Sequence, residues 1–418
     1  MRKILRLIIY YVPYPFFWIL LKFNLIKNIR ICKITSSRIG HLPSDIIGYL
    51  VHREKNLRIN HLQSTGINYN LKKLRIIFFY DKIICNHQIT EKMKGHIRIY
   101  NYNLFFRYII NFLIFWKEND FIFEINNYNI MNLPSSALNE TKKYLTYNDL
   151  EKEKVKKFFN QIKFNQKNEW ICFHNRDGEY LKKLKSGWPN QFNDWSYHDH
   201  RDFSIKSMEK AAVYFSENEY DIFRMGSIAT EKFENSSDKI FDYVNSEYQN
   251  DFNDIFLLSN CKFYFGSDAG LNILPVIAGK AIYIININPG EIHSRTKENN
   301  LPFFIFKRAK YKNSDKLLSL TEFMGTNCCF STNFFDYKNN NIELIPNSSL
   351  EILNFAKECL YHAQGNELNK EDVEIQEEFD NLYRKLFSSV RVQHDNKLGE
   401  NKIKISPSFL KLNQDLLK

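Results

Sequence analysis

Residues 261–287 have the sequence CKFYFGSDAGLNILPVIAGKAIYIINI and contain one complete strand–helix–strand unit. The runs CKFYFG and KAIYIINI are short, apolar and aromatic, which is typical of buried strands. The segment between them, SDAGLNILPVIAG, begins as a turn of small residues and continues as a helix that we expect to be shortened near Pro275. Two buried strands joined by a helix predict a parallel sheet and an α/β fold.

The residues on either side of this unit continue the alternation of strands and helices. Helical spacing appears in FSIKSMEKAAVYFSEN (203–218) and DFNDIFLLSN (251–260). Further strands are predicted at WICFH (170–174), YDIFRMG (220–226) and KIFDYV (239–244). A polar, helical tail extends to about residue 390 and is followed by KIKISPSFLKLNQDLL (402–417).

A first, less regular series precedes this one. Its strands are predicted at IRICKI (29–34), RIIFFY (75–80) and HIRIY (96–100), and a helix at NHQITEKMKG (86–95). Another helix should begin at about Ser44, which can serve as its N-cap after the turn SRIGHLPSD. Strands alternating with helices again indicate a parallel sheet.

The length of 418 residues is enough for two domains. Between the two series, Asn148 and Glu151 form a capping-box pattern at the start of a connecting helix. We therefore predict two α/β domains with a boundary near residues 145–168. The expected division is residues 1–28 as an apolar segment, 29–160 as the first domain, 161–390 as the second, and 391–418 as a tail near the boundary.

The N-terminal segment, residues 4–23, is strongly apolar and flanked by Arg and Lys. Only 15 residues separate Arg6 from Lys22, two of them Pro, whereas a membrane span needs about 20 apolar residues. No small-residue cleavage site of a secretory signal follows it. Basic flanks and aromatic residues favour an anchor on a membrane surface, and a helix packed on its own domain is the equal alternative.

The net charge and the cysteine content limit the classes of function that the sequence supports. The formal net charge is +11, which favours anionic partners, but the basic residues are spread along the chain without a nucleic-acid-binding signature. The seven cysteines are odd in number and form no Cys-x-x-Cys pair, a pattern of reduced, intracellular proteins. The segment SYHDHRD (196–202) is a weak match to a zinc site, and we expect a solvated polar loop there.

Candidate site residues follow the strands, because ligands of open parallel sheets bind at the carboxyl ends of the strands. In FYFGSDAG, the small residues let a phosphate approach a helix N-terminus, and Asp268 could cap that helix or hold a sugar hydroxyl. A plain strand–helix turn is the alternative interpretation. The candidates in this turn are Gly266, Ser267, Asp268, Ala269 and Gly270.

The segment FHNRDGEYL supplies a second group of candidates. Arg176 follows a strand, where its guanidinium can hold a diphosphate with two hydrogen bonds. His174 and Asp177 flank it and could exchange protons. The alternative is a surface salt-bridge cluster. In the first series, Gly40 and His41 also follow a strand, and His41 could contact a phosphate or an acceptor hydroxyl. A purely structural histidine is the alternative.

These segments resemble a family of bacterial glycosyltransferases from surface-polysaccharide gene clusters. The resemblance is carried by RIGHL, FHNRDGEYL, YDIFRMG, FDYVNSEYQNDFNDIFLLSNCKFYFGSDAGLNILP and ISPSFL. FHNRD is similar to the HxRRxD region of fucosyltransferase-type enzymes of the GT-B class, with Asn175 in place of one Arg. The strand and turn at 261–284 resemble those of heptosyltransferase-type GT-B enzymes, with Ala269 in place of Ser.

The resemblance implies two Rossmann-like domains facing a cleft (GT-B-like), with a nucleotide-diphosphate sugar as donor in the second and no metal or other cofactor. It implies donor-side roles for His174, Arg176, Arg224, Gly226 and residues 266–270, and catalytic roles for His41 and Asp177. The acceptor would be a glycan or a lipid-linked molecule, and the location cytoplasmic or peripheral on the inner membrane face. An inactive protein that binds a glycan or nucleotide, and a nucleic-acid-binding protein, are the competing hypotheses.

Overall fold

The computed structural model describes residues 11–23, 25–57, 70–165, 168–180, 196–233, 237–296, 303–390 and 398–418. The chain divides into two compact units, Met1–Tyr144 and Leu145–Lys418, each of which is described by itself. Both contain parallel strands joined by helices. The predicted α/β fold class is therefore confirmed.

The first unit contains a three-stranded parallel sheet in the order β1-β2-β3. Its strands are β1 (Ile29–Ile34), β2 (Arg75–Tyr80) and β3 (Ile99–Tyr100). Its helices are α1 (Tyr14–Lys22), α2 (His41–Lys55), α3 (His87–Lys94), α4 (Leu104–Phe115) and α5 (Ser135–Leu138). All three strands were predicted, although the third is shorter than expected.

Helix α2 begins three residues earlier than predicted. Its first residue is His41, preceded by Gly40, and Pro43 lies within the first turn, where a missing backbone N–H leaves no hydrogen bond unmade. Ser44 is therefore inside the helix and does not cap it. It is buried, and its Oγ accepts a hydrogen bond from the N–H of Ile130 at 3.4 Å.

The second unit is built on a six-stranded, all-parallel sheet in the order β6-β5-β4-β7-β8-β9. The strands are β4 (Trp170–His174), β5 (Asp221–Arg224), β6 (Ile240–Phe241), β7 (Phe263–Ser267), β8 (Ala281–Ile287) and β9 (Phe303–Phe306). Numbered within the unit, this is the order 3-2-1-4-5-6 of doubly wound dinucleotide-binding sheets. The strand order reverses between β4 and β7, which we call the switch point.

Helices cover this sheet. They are α6 (Asp149–Gln161), α7 (Glu209–Glu217), α8 (Asp251–Asn260), α9 (Ile273–Ile277), α10 (Ile292–Arg295), α11 (Leu320–Met324), α12 (Phe334–Asn339), α13 (Ser349–Ala363), α14 (Lys370–Ser389) and α15 (Pro407–Leu412). Every residue of β7 is buried, as expected for a strand with helices on both faces. Helix α7 packs against α13, and α8 against α9.

Helix α6, the connecting helix of the sequence analysis, belongs to the second unit. The predicted capping box of Asn148 and Glu151 is present at its start. Its aromatic residues pack on the second sheet, with the rings of Phe159 and Trp170 5.6 Å apart and those of Phe158 and Tyr243 6.2 Å apart. These aromatic contacts place the division of the chain before the helix, after Tyr144.

The C-terminal part contains structure that the sequence did not predict. Strands β10 (Arg308–Tyr311) and β11 (Ile342–Ile345) form a separate antiparallel pair. The expected place of the tail near the domain boundary stays a prediction, and within the second unit the tail lies along the edge strand β9. There the N–H of Phe304 donates to the carbonyl of Lys404 at 3.1 Å, and the N–H of Ser406 to the carbonyl of Phe304 at 3.0 Å. Residues 391–397 of this tail are outside the described part.

The predicted N-terminal anchor is described from residue 11 onward. Within the described ranges, no helix has the length and apolar character that crossing a membrane requires. Helix α1 has nine residues.

Candidate functional site

The switch point brings together two of the segments selected from the sequence. His174, the last residue of β4, is paired with Gly266 of β7. A Cβ atom on Gly266 would lie 2.0 Å from the carbonyl oxygen of His174, so only glycine permits this approach. The loops that begin at Asn175 and Asp268 therefore start side by side. In sheets of this topology, the crevice at the switch point is where ligands bind.

His174 is a neutral side chain in this crevice. Its Nδ1 lies 3.0 Å from the carbonyl oxygen of Met225, and since a carbonyl only accepts, Nδ1 carries the proton and Nε2 is an acceptor. Burial lowers the pKa of the imidazole to about 4, and nearby Arg224 and Arg176 lower it further, whereas Met225 and Asp177 oppose the shift. His174 can therefore accept a hydrogen bond from a hydroxyl but carries no charge for a phosphate at neutral pH.

Arg176 lies largely beneath the surface, with 13% of its side chain exposed. Its Nη1 donates to the carbonyl oxygen of His198 at 2.8 Å and to the carboxylate of Asp202. Both bonds use Nη1, and no hydrogen bond from Nε or Nη2 to the described residues is found. These two bonds hold the guanidinium in place and leave the edge formed by Nε and Nη2 for a ligand. This arrangement differs from the surface salt-bridge cluster that was the alternative interpretation.

Lys307 is a second cation at this site, and the sequence did not single it out. It follows β9 and is buried, and its Nζ donates to the carbonyl oxygens of His200 at 2.7 Å and Asp202 at 2.9 Å. Burial lowers the pKa of the ammonium to about 8, which Asp202 opposes and Arg176 reinforces. The available signal was a lone lysine directly after the apolar run FFIF, at the end of a strand.

Asp202 is the acid shared by these two cations. Burial raises the pKa of its carboxyl group to about 6, although the Arg176 guanidinium acts in the opposite direction. One carboxylate therefore faces two positive charges, and it titrates close to neutral pH. The group of Arg176, Asp202 and Lys307 is called the cationic cluster below.

The segment 196–202 is not the solvated loop that was expected. Ser196–Arg201 forms a 3₁₀ helix, and His200 is buried with its Nδ1 3.0 Å from the carbonyl oxygen of Tyr197. Burial lowers the pKa of this imidazole to about 3. Arg201 forms an ion pair with Glu291, which follows β8. The segment thus connects the cationic cluster to the end of β8, and across the described ranges no group of three or more His, Cys, Asp or Glu could hold a metal ion.

Arg224 occupies a different environment at the end of β5. Its side chain is 1% exposed. Its Nη1 donates to the carbonyl oxygen of Glu231 at 2.6 Å and to Asp242 at 3.3 Å, and its Nη2 to the amide oxygen of Asn175 at 3.1 Å. Arg224 therefore ties together the loops that follow β4 and β5, and its guanidinium lies below the surface that a ligand would contact.

Asp177 and Gly226 also stabilise these loops. The Oδ2 of Asp177 accepts hydrogen bonds from the N–H of Thr230 at 2.8 Å and from its hydroxyl at 3.2 Å, and Oδ1 accepts one from the N–H of Glu179 at 3.3 Å. The carbonyl oxygen of Gly226 accepts a bond from Gln249 at 2.6 Å. A catalytic role of Asp177 stays a prediction, and such a role would require breaking part of this network.

The turn after β7 offers less to an anion than the sequence indicated. Ser267 is buried, and its Oγ lies 3.4 Å from the carbonyl oxygen of His174. Asp268 accepts a hydrogen bond from the side chain of Asn272 at 2.9 Å, whereas Ala269 and the exposed Gly270 lead into a 3₁₀ turn. The helix beyond it, α9, has five residues, which confirms the expected shortening near Pro275. So short a helix adds little dipole at its N-terminus.

His41 belongs to the first unit, at the start of α2. Its imidazole is 44% exposed, and Nδ1 lies 3.5 Å from a carboxylate oxygen of Asp45, which is buried one turn further along the helix. Burial raises the pKa of Asp45, and His41 opposes the shift. A buried carboxylate behind an exposed imidazole is an arrangement that can orient the ring toward a reacting hydroxyl.

Comparison with known proteins gives little further guidance. No protein-family model matches the chain, and no curated protein is significantly similar to it. One solved structure that it resembles is described as the crystal structure of the glycosyl transferase family 9 from Veillonella parvula DSM 2008. The alignment covers 67% of this chain and 85% of that chain, with 9% identity and a TM-score of 0.30. A likeness of this size carries no argument about function.

Proposed function

We propose that the chain is a glycosyltransferase that takes a sugar from a nucleotide-diphosphate sugar bound at the carboxyl edge of the second sheet. The observation that carries the proposal is the switch point itself. It has the strand order of nucleotide-binding sheets, and two cations, the partly buried Arg176 and the buried Lys307, lie at the same edge of the sheet.

In this proposal, the free edge of Arg176 binds the donor diphosphate with charge-assisted hydrogen bonds. Lys307 adds positive charge that favours the departure of the nucleoside diphosphate. His174, with Nε2 as an acceptor, holds a hydroxyl of the donor, and Ser267, Asp268, Ala269 and Gly270 line the turn beside it. Arg224, Gly226 and Gly266 hold the backbone that presents these groups.

His41 and Asp177 are proposed as the acid–base residues, and the acceptor as a glycan or lipid-linked molecule of bacterial surface-polysaccharide synthesis. Support for His41 comes from the buried Asp45 behind its ring. The bacterial pathway rests on the sequence resemblance alone. Transfer of the sugar breaks its bond to the diphosphate, and the acceptor hydroxyl loses a proton to one of these two groups.

An inactive nucleotide-binding protein is the second candidate. The observation that favours it is Asp177, whose two carboxylate oxygens already accept three hydrogen bonds. Such a protein would bind the same donors, and neither hydrolyse nor transfer them.

A thermal-shift screen tests the binding step common to both candidates. With GDP-, UDP- and ADP-sugars, a true ligand at about 100 times its dissociation constant stabilises the fold by roughly 2.7 kcal/mol. CMP-sugars carry a single phosphate and serve as the matched control, because the proposal requires a diphosphate. Release of nucleoside diphosphate from the donor that binds then separates the enzyme from the inactive protein. The absence of a shift with every diphosphate donor would refute both.

A further inference from the structure

Helices α1 and α4 of the first unit pack against each other through aromatic rings. The rings of Tyr14 and Trp116 are stacked 3.8 Å apart, and those of Phe17 and Phe112 meet edge to face at 5.4 Å. Tyr11 lies against Phe115 at 5.8 Å. The N-terminal helix α1 is thus packed on its own unit, which was one of the two alternatives from the sequence.

The packing leaves a large apolar surface uncovered. Eleven of the 21 exposed large apolar side chains in the described part belong to these two helices and the residues beside them. We call this set the aromatic face: Tyr11, Val12, Phe16, Trp18, Ile19, Phe23, Leu25, Leu104, Phe105, Ile114 and Phe115. Phe16 is 66% exposed and Leu104 80%. Apolar surface concentrated in this way marks an interaction site.

The charges in the sequence around the aromatic face are mainly basic, and Glu118 and Asp120, just beyond the end of α4, are the acidic exceptions. The first acidic residue of the chain is Asp45, and residues 92–117, which include α4, contain no acidic residue. Basic residues in the same stretches include Lys22, Lys27 and Arg107. The Nζ of Lys22 lies 5.0 Å from the centre of the Trp18 ring, so a cation and an aromatic ring are paired beside the apolar surface.

We propose that the aromatic face binds the surface of an anionic phospholipid bilayer, with α1 and α4 lying in the plane of the interface. The nine residues of α1 and the twelve of α4 are too few to span it. Aromatic side chains and Lys or Arg are the residues that accumulate at the headgroup level. A second copy of the chain is disfavoured as the occupant, because a self-complementary interface would set basic residues against basic residues. The proposal does not depend on the transferase activity.

Co-sedimentation of the full chain with lipid vesicles tests this inference. We expect binding to phosphatidylcholine vesicles that contain phosphatidylglycerol, and weak binding to phosphatidylcholine alone. The double variant Phe16→Asp/Leu104→Asp should lower the partition coefficient at least tenfold, and its fold should survive because both side chains are exposed. The matched control is Leu150→Asp on α6, where the side chain is 78% exposed but outside the aromatic face. This control should bind as the unmodified chain does.

A charge variant separates the electrostatic part of binding from the apolar part. Lys22→Glu/Arg107→Glu should reduce binding to the anionic vesicles severalfold, bring it close to the level on phosphatidylcholine, and weaken its dependence on salt. Three results would overturn the proposal. They are no binding of the unmodified chain to anionic vesicles, equal binding of the Phe16→Asp/Leu104→Asp variant, or self-association in lipid-free buffer that this variant abolishes.

Discussion

The ends of β4 and β5 present two arginines in similar sequence positions but in different physical environments. Arg176 follows β4 and keeps one edge of its guanidinium without a partner among the described residues, whereas Arg224 ends β5 and is enclosed by Glu231, Asp242 and Asn175. Both were predicted to bind the donor, Arg176 from its position after a strand and Arg224 from the family resemblance. The two side chains differ in depth below the surface, with 13% of Arg176 and 1% of Arg224 exposed, although their positions in the sequence are similar.

The difference follows from the loops that cover each arginine. The loop 227–233 folds back over Arg224 and supplies a carbonyl acceptor, so both terminal nitrogens of its guanidinium have partners within the protein. The acid beside Arg176, Asp202, has a pKa raised to about 6 by burial, which makes its ionised form less stable than in water. An incoming diphosphate can therefore compete with Asp202 for Arg176 more readily than with the partners of Arg224.

The largest expected effect is the loss of stability on replacing Arg224. Arg224→Ala removes the donor of Asp242 Oδ1 and of the amide oxygen of Asn175, although Asp242 Oδ2 keeps its bonds from Phe233 and Asn245. Breaking a buried charge pair of this kind costs about 3–5 kcal/mol. Arg176→Ala should cost about 1–2 kcal/mol, because its partner Asp202 is nearer to water. Urea unfolding of both variants measures the difference. Equal losses of stability would remove the distinction between the two arginines.

Donor affinity should show the opposite order. Arg176→Ala removes charge-assisted hydrogen bonds to the diphosphate, which costs about 1.5–3 kcal/mol, or roughly ten- to over a hundredfold in affinity. Arg176→Lys keeps the charge but loses the fork, so its affinity should lie between those of the Ala variant and the unmodified chain.

Calorimetry with the nucleotide sugar found in the thermal-shift screen provides this measurement. Circular dichroism confirms that each Arg176 variant is folded before its affinity is compared. Unchanged affinity in a folded Arg176→Ala variant would exclude Arg176 from the site.

The sequence was informative about elements whose signal is local. Apolar runs bounded by turns located strands β4, β7 and β8, and the side-chain pattern of Asn148 and Glu151 located the start of α6. The shortening of α9 followed from Pro275. These features depend on neighbours in the chain, which a single sequence displays directly.

Features that depend on distant contacts were missed. Lys307 meets the carbonyls of His200 and Asp202 more than a hundred residues away, and no local pattern reports such a contact. The assignment of α6 to the second unit rests likewise on rings at Trp170 and Tyr243. Arg224 could not be distinguished from Arg176 by sequence, because the residues that enclose Arg224 lie both before and after it in the chain.

Two glycines beside these loops, Gly266 within β7 and Gly226 two residues beyond β5, differ in the atoms that surround them. A Cβ on Gly266 would lie 2.0 Å from the main-chain oxygen of His174, whereas one on Gly226 would lie 3.0 Å from the side chain of Val244. Main chain held in a sheet cannot move aside as a side chain can, so Gly266→Ala should destabilise the fold more, by about 1–3 kcal/mol. Thermal unfolding of the two alanine variants measures this order. Greater destabilisation by Gly226→Ala would show that β4 and β7 can separate.

The smallest expected effect is the pH dependence of donor affinity in the cationic cluster. Asp202 loses its proton as the pH rises through about 6, and Lys307 loses its own through about 8. The first step creates a negative charge and the second removes a positive one, so each lowers the net charge near the diphosphate by one unit, whereas the charge of the diphosphate is constant in this range. Affinity should therefore fall in two steps between pH 5 and pH 9, each about three- to tenfold, as expected for roughly 1 kcal/mol of charge interaction.

Single substitutions test which residue causes each of the two steps in donor affinity. Asp202→Asn should abolish the step near pH 6, because the amide does not titrate, and Lys307→Met should abolish the step near pH 8. His174 should not contribute, since burial lowers the pKa of its imidazole to about 4, below the range measured. A profile that is flat in the unmodified chain, or that keeps both steps in both variants, would show that the diphosphate binds away from the cationic cluster. Two steps lost one at a time would place the diphosphate beside Arg176, and would leave Arg224 with the structural role that its burial gives it.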